Sequence, residues 1–367
     1  MISRKLLYII VGTRPNFIKV TQFKKIAANR KDLHIRIVHT GQHYDDKMSK
    51  IFFKQFGLVP DSIINLTSST ENSQIAEIMM RLEETFTAEK PDCIMVVGDV
   101  NSTLAGALVA NKMGIKLVHL ESGLRSNDRS MPEEINRILT DHLADKLFVT
   151  EQSGIDNLLR EGKNPEQIHF VGNTMIDTML AYDKEITESD ILNKLNISSQ
   201  GFVLMTIHRP ATVDTKEGLV KLFKLLNKLN QKLKIIFPIH PRTLKNITKF
   251  DLEDELKNND NLILTEPLDY FAFQKLIKEC CYILTDSGGI QEESTQRRVP
   301  CLTLRPNTER PVTISKGTNT LVPFEIELLL EYINLIDSGT YKVGTIPDYW
   351  DGKATERVLD IVSMFIQ

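Results

Sequence analysis

Asp99, Glu121 and Glu133 stand at the ends of strand-like runs or the start of a helix-like one: Val96-Val97-Gly98-Asp99, His119-Leu120-Glu121 and Pro132-Glu133-Glu134. Carboxylates gathered at strand ends serve acid–base or metal chemistry. No histidine–carboxylate spacing typical of a metal site accompanies them, so acid–base work is the preferred reading. Each also has a structural reading. Asp99 can cap the next helix, and Pro132 followed by Glu133 and Glu134 is good helix-start chemistry.

Cations and histidines fall at the same kind of position. Gly12-Thr13-Arg14-Pro15-Asn16-Phe17-Ile18-Lys19 follows the first apolar run. Arg14 then lies in a strand-to-helix loop, where anions bind. Lys19 is either a second site cation or an exposed helical lysine. His208 follows the first strand of the second half, His240 sits in Pro238-Ile239-His240-Pro241-Arg242, and His43 sits in Thr40-Gly41-Gln42-His43-Tyr44. In Asp286-Ser287-Gly288-Gly289-Ile290-Gln291-Glu292-Glu293, Ser287, Gly288 and Gly289 would let backbone N–H groups approach a phosphate at a helix start. Glu292 or Glu293, one turn inside, could accept ribose hydroxyls. Arg310, in Thr308-Glu309-Arg310-Pro311, can clamp a diphosphate bidentately, unless that loop is merely solvated.

These residues need strands and helices to position them. Apolar runs at Leu6–Val11, Ile35–His39, Cys93–Val97, Leu117–Leu120, Leu147–Val149 and Ile168–Val171 read as strands. They alternate with helical stretches such as Ile18–Ala28, Gln74–Thr87, Thr103–Met113 and Pro132–Ala144. A second strand series runs through Phe202–Thr206, Ile235–Pro238, Leu262–Leu264, Tyr282–Leu284 and Cys301–Leu304. Apolar strands alternating with helices indicate parallel sheets covered on both faces. The expected architecture is α/β, with two Rossmann-like doubly wound domains at 1–173 and 174–353. A final helix within 354–367 would return to the first domain. Both halves open with a strand followed by a basic residue and Pro (Arg14-Pro15, Arg209-Pro210). Two such halves place a ligand at the carboxyl ends of the strands, in the cleft between domains.

The 367 residues favour two domains, and 41% hydrophobic with 25% charged residues is ordinary globular composition. Forty-five Lys+Arg against 48 Asp+Glu leave a net charge of -3, without the basic field of a nucleic-acid binder. No apolar run approaches the roughly 18–20 residues that span a bilayer. Leu6–Val11 is too short for a signal peptide core and reads as a strand. Cys93, Cys280, Cys281 and Cys301 form no CxxC pair, so reduced buried thiols in a cytoplasmic protein are expected rather than disulfides or zinc.

In combination these segments resemble the non-hydrolysing UDP-N-acetylglucosamine 2-epimerases. The resemblance rests on GTRPNFIK (12–19), TGQHYD (40–45), GDVNST (98–103), HLESGLRS (119–126) and PEEINR (132–137). It continues through TIHRPATVD (206–214), PIHPR (238–242), TDSGGIQEES (285–294) and TERP (308–311). It implies two domains of glycosyltransferase-B type, usually a homodimer, acting on a UDP-sugar with no nicotinamide or metal needed. It implies active-site roles for Arg14, Lys19, Asp99, Glu121, Glu133 and His208, and UDP contacts for Ser287, Gly288, Glu293 and Arg310. Gly289 and His240 join the UDP set from the reading above. Hydrolysing relatives depart from the RP-x-x-IK and ESGLR segments that this chain keeps, which disfavours net hydrolysis. The chain departs from the family's HRREN at Pro210-Ala211-Thr212 and from ERPE at Val312. Pro210 for an arginine, with Tyr44-Asp45-Asp46 after TGQH, implies a weakened second, activating UDP-sugar site. The rival reading is a glycosyltransferase of the same fold, which would not need the acid cluster.

Overall fold

The computed structural model describes residues 4–42, 53–68, 70–229, 233–257 and 259–367. The chain divides into two compact units: Met1–Ala181 with Asp348–Gln367, and Tyr182–Pro347.

Runs rich in Val, Ile and Leu build the first sheet because β-branched and apolar side chains suit strands buried on both faces. Its strands are β1 (Lys5–Val11), β2 (Leu33–His39), β3 (Ser62–Ile63), β4 (Cys93–Val97), β5 (Lys116–Ser122), β6 (Lys146–Val149) and β7 (Ile168–Phe170). All pair in parallel, in the order β3-β2-β1-β4-β5-β6-β7. Every residue of the central β4 is buried. The core on one face gathers Tyr8, Ile10, Ile94 and Val96 with Ile78, Leu82 and Phe86 from the helix Glu71–Ala88.

The second unit repeats the plan with β8 (Phe202–Thr206), β9 (Lys234–Pro238), β10 (Leu262–Thr265), β11 (Tyr282–Thr285), β12 (Cys301–Thr303) and β13 (Asn319–Leu321). These strands are also all parallel, in the order β10-β9-β8-β11-β12-β13. In both sheets the order reverses beside the first strand of the unit, between β1 and β4 and between β8 and β11. The loops leaving these strands diverge to opposite faces, opening a crevice where ligands bind in such folds.

Several elements differ from the sequence-based expectation. The stretch expected as one helix over Ile18–Ala28 is two, Arg14–Lys19 and Phe23–Ala27. Pro15 fits a first helical turn, which moves the start forward. The first helix closes where Val20 N bonds Phe17 O at 3.1 Å, and Thr21 Oγ1 turns to Thr178 Oγ1 at 2.6 Å. The edge strands β3 and β13 span two and three residues, too short to show a period. The junction falls later than 173/174, because the helix Thr174–Ala181 packs into the first unit, Thr178 Oγ1 donating to Ile18 O at 2.6 Å. Buried Asp177 on that helix accepts from Ala354 N (3.2 Å), Thr355 N (2.6 Å) and Thr355 Oγ1 (2.7 Å), capping the terminal helix Ala354–Ile366. Residues 348–353 belong to the first unit rather than the second.

All four cysteines are reduced, and burial pushes the Cys301 thiol up to about 11. Among the described residues, no helix is long and apolar enough to cross a membrane.

Candidate active site

In the first unit, the ends of β1, β4 and β5 form one crest of charged side chains. β1 runs into Gly12, where a Cβ would lie 2.1 Å from Ser102 Oγ, so the backbone passes close to the next loop. Asn16 ties the two switch-point loops. Its Oδ1 accepts from Thr13 Oγ1 (2.9 Å), and its Nδ2 donates to Val97 O at the end of β4 (3.1 Å). Gly98 then turns at φ 67°, and a side chain there would press within 3.1 Å of Asn16 Nδ2.

Lys19 is not the exposed helical lysine that its sequence position allows. It is buried and ion-paired with Glu121, whose side chain is equally buried. Glu121 sits at φ 70°, where the β5–β6 register slips between Leu120 and Ser122. A bulge of this kind re-aims a side chain, and the left-handed backbone it requires costs a non-glycine residue on the order of 1 kcal/mol. Asp99, partly exposed, pairs with the buried Arg137 guanidinium. Arg137 also bonds Glu134 at 2.8 Å. Asn136 Nδ2 donates to the Asp99 carbonyl at 2.9 Å. Glu134 takes the N–H groups of Ser126 and Asn127, both at 2.9 Å. Burial alone would raise the Glu134 pKa, but these donors and Arg137 bring it below its ordinary value.

The structure thus pairs Glu121 with Lys19 and Asp99 with Arg137 at the ends of neighbouring strands, with Arg14 half-buried at the start of the helix that ends in Lys19. Glu133 stands apart from that bonded set, exposed in the first turn of the helix Pro132–Leu143. His43 lies outside the described residues.

In the second unit, the end of β8 meets the end of β11. Asp286, fully buried, accepts from His208 N (2.8 Å) and Arg209 N (2.7 Å) through one oxygen. Its other oxygen lies 3.0 Å from His208 Nδ1. His240 lies beside it, ring centroids 5.4 Å apart, and its Nδ1 accepts from Arg242 N at 3.1 Å. Desolvation, then the charges of His208 and Arg242, push the His240 pKa down, which suits an accepting nitrogen.

Ser287 caps the helix Gly288–Arg297 by position only, since its hydroxyl makes no capping bond. A Cβ on Gly288 would meet Glu309 Oε1 at 2.9 Å and Arg310 Nη1 at 3.0 Å, whereas one on Gly289 would meet nothing within 4 Å. The first turn is therefore packed on one side and open on the other. Open N–H groups at a helix start attract anions. Arg310 is not in a solvated loop. It is buried between Glu292 (Nε to Oε2, 2.8 Å) and Glu309, which also pairs with Arg305 at 3.0 Å. Glu292 is thereby committed to Arg310, and Glu293 is buried in the helix.

Sequence reasoning did not single out Asn16, Arg137 or Asp286. Asp286 carried a usable signal, a carboxylate directly at a strand end ahead of Ser-Gly-Gly. Arg137 is one helical turn beyond Glu134, the spacing of a helical ion pair.

The family described as UDP-N-acetylglucosamine 2-epimerase matches residues 25–363. The UDP-N-acetylglucosamine 2-epimerase of Methanocaldococcus jannaschii is 40% identical over 369 residues, covering 97% of this chain and 98% of the relative. The UDP-2,3-diacetamido-2,3-dideoxy-D-glucuronate 2-epimerase of Pseudomonas aeruginosa is 35% identical over 364 residues, covering 96% and 98%. The crystal structure of the Methanocaldococcus jannaschii UDP-GlcNAc 2-epimerase in complex with UDP-GlcNAc and UDP is similar at a TM-score of 0.89, covering 98% of this chain and 99% of that one at 40% identity.

Proposed function

Because the chain belongs to the UDP-N-acetylglucosamine 2-epimerase family, we propose that it inverts C2 of UDP-N-acetylglucosamine to give UDP-N-acetylmannosamine. The observation that carries this is the crest of Asp99, Glu121 and Lys19, with both acids at strand ends and each held by a buried cation.

The C2 hydrogen is not beside a carbonyl, so enolisation is closed to it. Elimination is open. A base takes the C2 proton, that electron pair becomes the C1=C2 bond, and the C1–O bond breaks with its electrons leaving on UDP. The intermediate is a 2-acetamidoglucal. A proton delivered to the opposite face of C2, with attack of the UDP oxygen on C1, gives the epimer. The route needs two acid–base groups on opposite faces. Asp99, Glu121 and Glu133 are the candidates for these two roles. The departing diphosphate needs positive charge fixed in advance. The second unit's candidates for holding it are His208, the open Ser287–Gly289 helix start and Arg310, the last already paired with Glu292 and Glu309; the first unit's candidate is Arg14.

A diacetamido-uronic acid in place of N-acetylglucosamine is the second reading, favoured by the Pseudomonas aeruginosa relative. The family resemblance also supports a homodimer and a product destined for polysaccharide synthesis. The test is a time course in deuterated water with UDP-N-acetylglucosamine alone, followed by NMR. Deuterium at C2 of both epimers is expected. Epimerisation without deuterium refutes elimination, and no reaction until an acceptor is added identifies a glycosyltransferase. If neither occurs, UDP-2,3-diacetamido-2,3-dideoxyglucuronate in the same assay tests the second reading.

A further inference from the structure

Beneath the carboxylate crest lies a buried charge network that none of the roles above uses. His119 and Asp141 are both fully buried. His119 Nδ1 is 2.6 Å from Asp141 Oδ1, and Nε2 is 2.8 Å from the carbonyl oxygen of Gly98. The second oxygen of Asp141 accepts from Gly123 N at 3.1 Å and pairs with Arg125 at 2.7 Å. Arg125 is in turn forked by Glu161, at 2.8 and 2.7 Å.

A carbonyl oxygen can only accept, so Nε2 must carry a hydrogen. Asp141 has Gly123 N–H and the Arg125 cation on its other oxygen. Nδ1 is bound by Asp141, so both ring nitrogens are committed, one to each loop's partner.

The two commitments fall on two loops. Gly98 immediately precedes Asp99. Gly123 closes the bulge that begins at Glu121, and Gly98 N itself donates to Leu120 O at 2.9 Å. We propose that His119 is a positioning residue, a buried ring bridging the Gly98 carbonyl and, through Asp141, the Gly123 amide, so that Asp99 and Glu121 are held at a fixed spacing. The rigid ring sets the distance between its two partners, and an open-chain amide at 119 does not reproduce that spacing.

The kinetic arm rests on the epimerase reading; the spectroscopic arm does not. In the ¹⁵N spectrum of the wild-type chain at pH 7, assigned through the backbone, His119 Nε2 should carry a hydrogen protected from solvent exchange by the Gly98 carbonyl. An Nε2 without a hydrogen, or with one that exchanges freely, overturns the proposal, whatever the enzyme does. In the kinetic arm, His119→Gln and Asp141→Asn should each lower kcat about 10²-fold, the scale of a misplaced catalytic group. KM and the UDP dissociation constant should stay within about twofold, because neither His119 nor Asp141 is among the groups assigned to the diphosphate. Equal losses in kcat and UDP affinity, or kcat within twofold of wild type, overturn it. Should neither variant fold, the wild-type spectrum still decides. Absence of wild-type epimerisation counts against the functional reading and leaves the spectroscopic result standing.

Discussion

Replacing Lys19 by methionine tests whether the crest is a preset charge arrangement. Lys19 and Glu121 are buried together, with side chains 8% exposed each. Methionine keeps most of the volume and removes the charge. Breaking one half of a buried pair costs about 3–5 kcal/mol, since the other charge stays desolvated. Glu121 escapes part of that cost by taking a proton. Its pKa should therefore rise above the ordinary carboxylate value near 4.3. The sign follows from linkage. In the variant the folded Glu121 binds a proton that the unfolded chain has already lost. The deficit against wild type is therefore small near pH 4.3, grows as pH rises, and levels off above the raised pKa. Urea unfolding of both proteins at pH 5 and pH 8 measures it, the gap widening by several kcal/mol between them. A gap that does not change with pH would refute the buried-pair argument. So would no gap at all.

Other expectations are simpler to check. Gly288→Ala should cost about 1–3 kcal/mol by thermal unfolding because its Cβ collides with Glu309 and Arg310, while Gly289→Ala should hold or slightly raise stability. Both should weaken UDP binding by calorimetry, and normal binding by Gly289→Ala would rule out the open helix start as the anion site. Burial holds His39 down at about 4, with Nδ1 accepting from Gly41 N at 3.0 Å. Its contribution is then complete above pH 6.5 and lost as pH falls to 4, about 3 kcal/mol in all. His39→Asn should lose that part of the acid sensitivity in urea unfolding, and an unchanged pH slope would refute the assignment. Pro210, which has no N–H to donate, opens the short helix Pro210–Val213, while Tyr44-Asp45-Asp46 lies outside the described residues. Supplied with UDP-N-acetylmannosamine alone, the enzyme should start without a lag. A lag removed by traces of UDP-N-acetylglucosamine would show an activating site built from other residues.

The parallel sheets were legible because strand-length apolar runs such as Cys93–Val97 and Phe202–Thr206 are bounded by turns and match the observed strands. The positions of Asp99, Glu121 and His208 were legible for the same reason, since a polar residue at the end of an apolar run lands at its own sheet's carboxyl edge. What remained hidden depends on contacts between distant segments. Nothing local to Asn16–Lys19 says that the lysine turns inward, because its partner arrives from the bulge in β5. The bulge itself has no signal, since Glu121 is a poor residue for a positive φ and is there for its carboxylate. Arg310 reads as a surface cation until the helix bearing Glu292 is packed against it. The expected helix Ile18–Ala28 failed at Val20-Thr21, where a hydroxyl contact to Thr178 outweighed helical propensity.

The strained backbone at Glu121 and the charge it buries with Lys19 carry an evolutionary consequence. Glycine at 121 would relieve the positive φ, and methionine at 19 would remove the cation left behind. Removing a buried ion pair together with the backbone strain offsets much of the cost of the space the glutamate vacates, so the double change Lys19→Met/Glu121→Gly should melt within a few degrees of the parent while having no turnover. A gene copy released from selection for activity could therefore lose the crest first, with its fold intact. Among descendants of this chain, glycine at 121 would mark such a lineage even where every strand and the nucleotide end are preserved. Stability alone would barely separate that descendant from its functional parent.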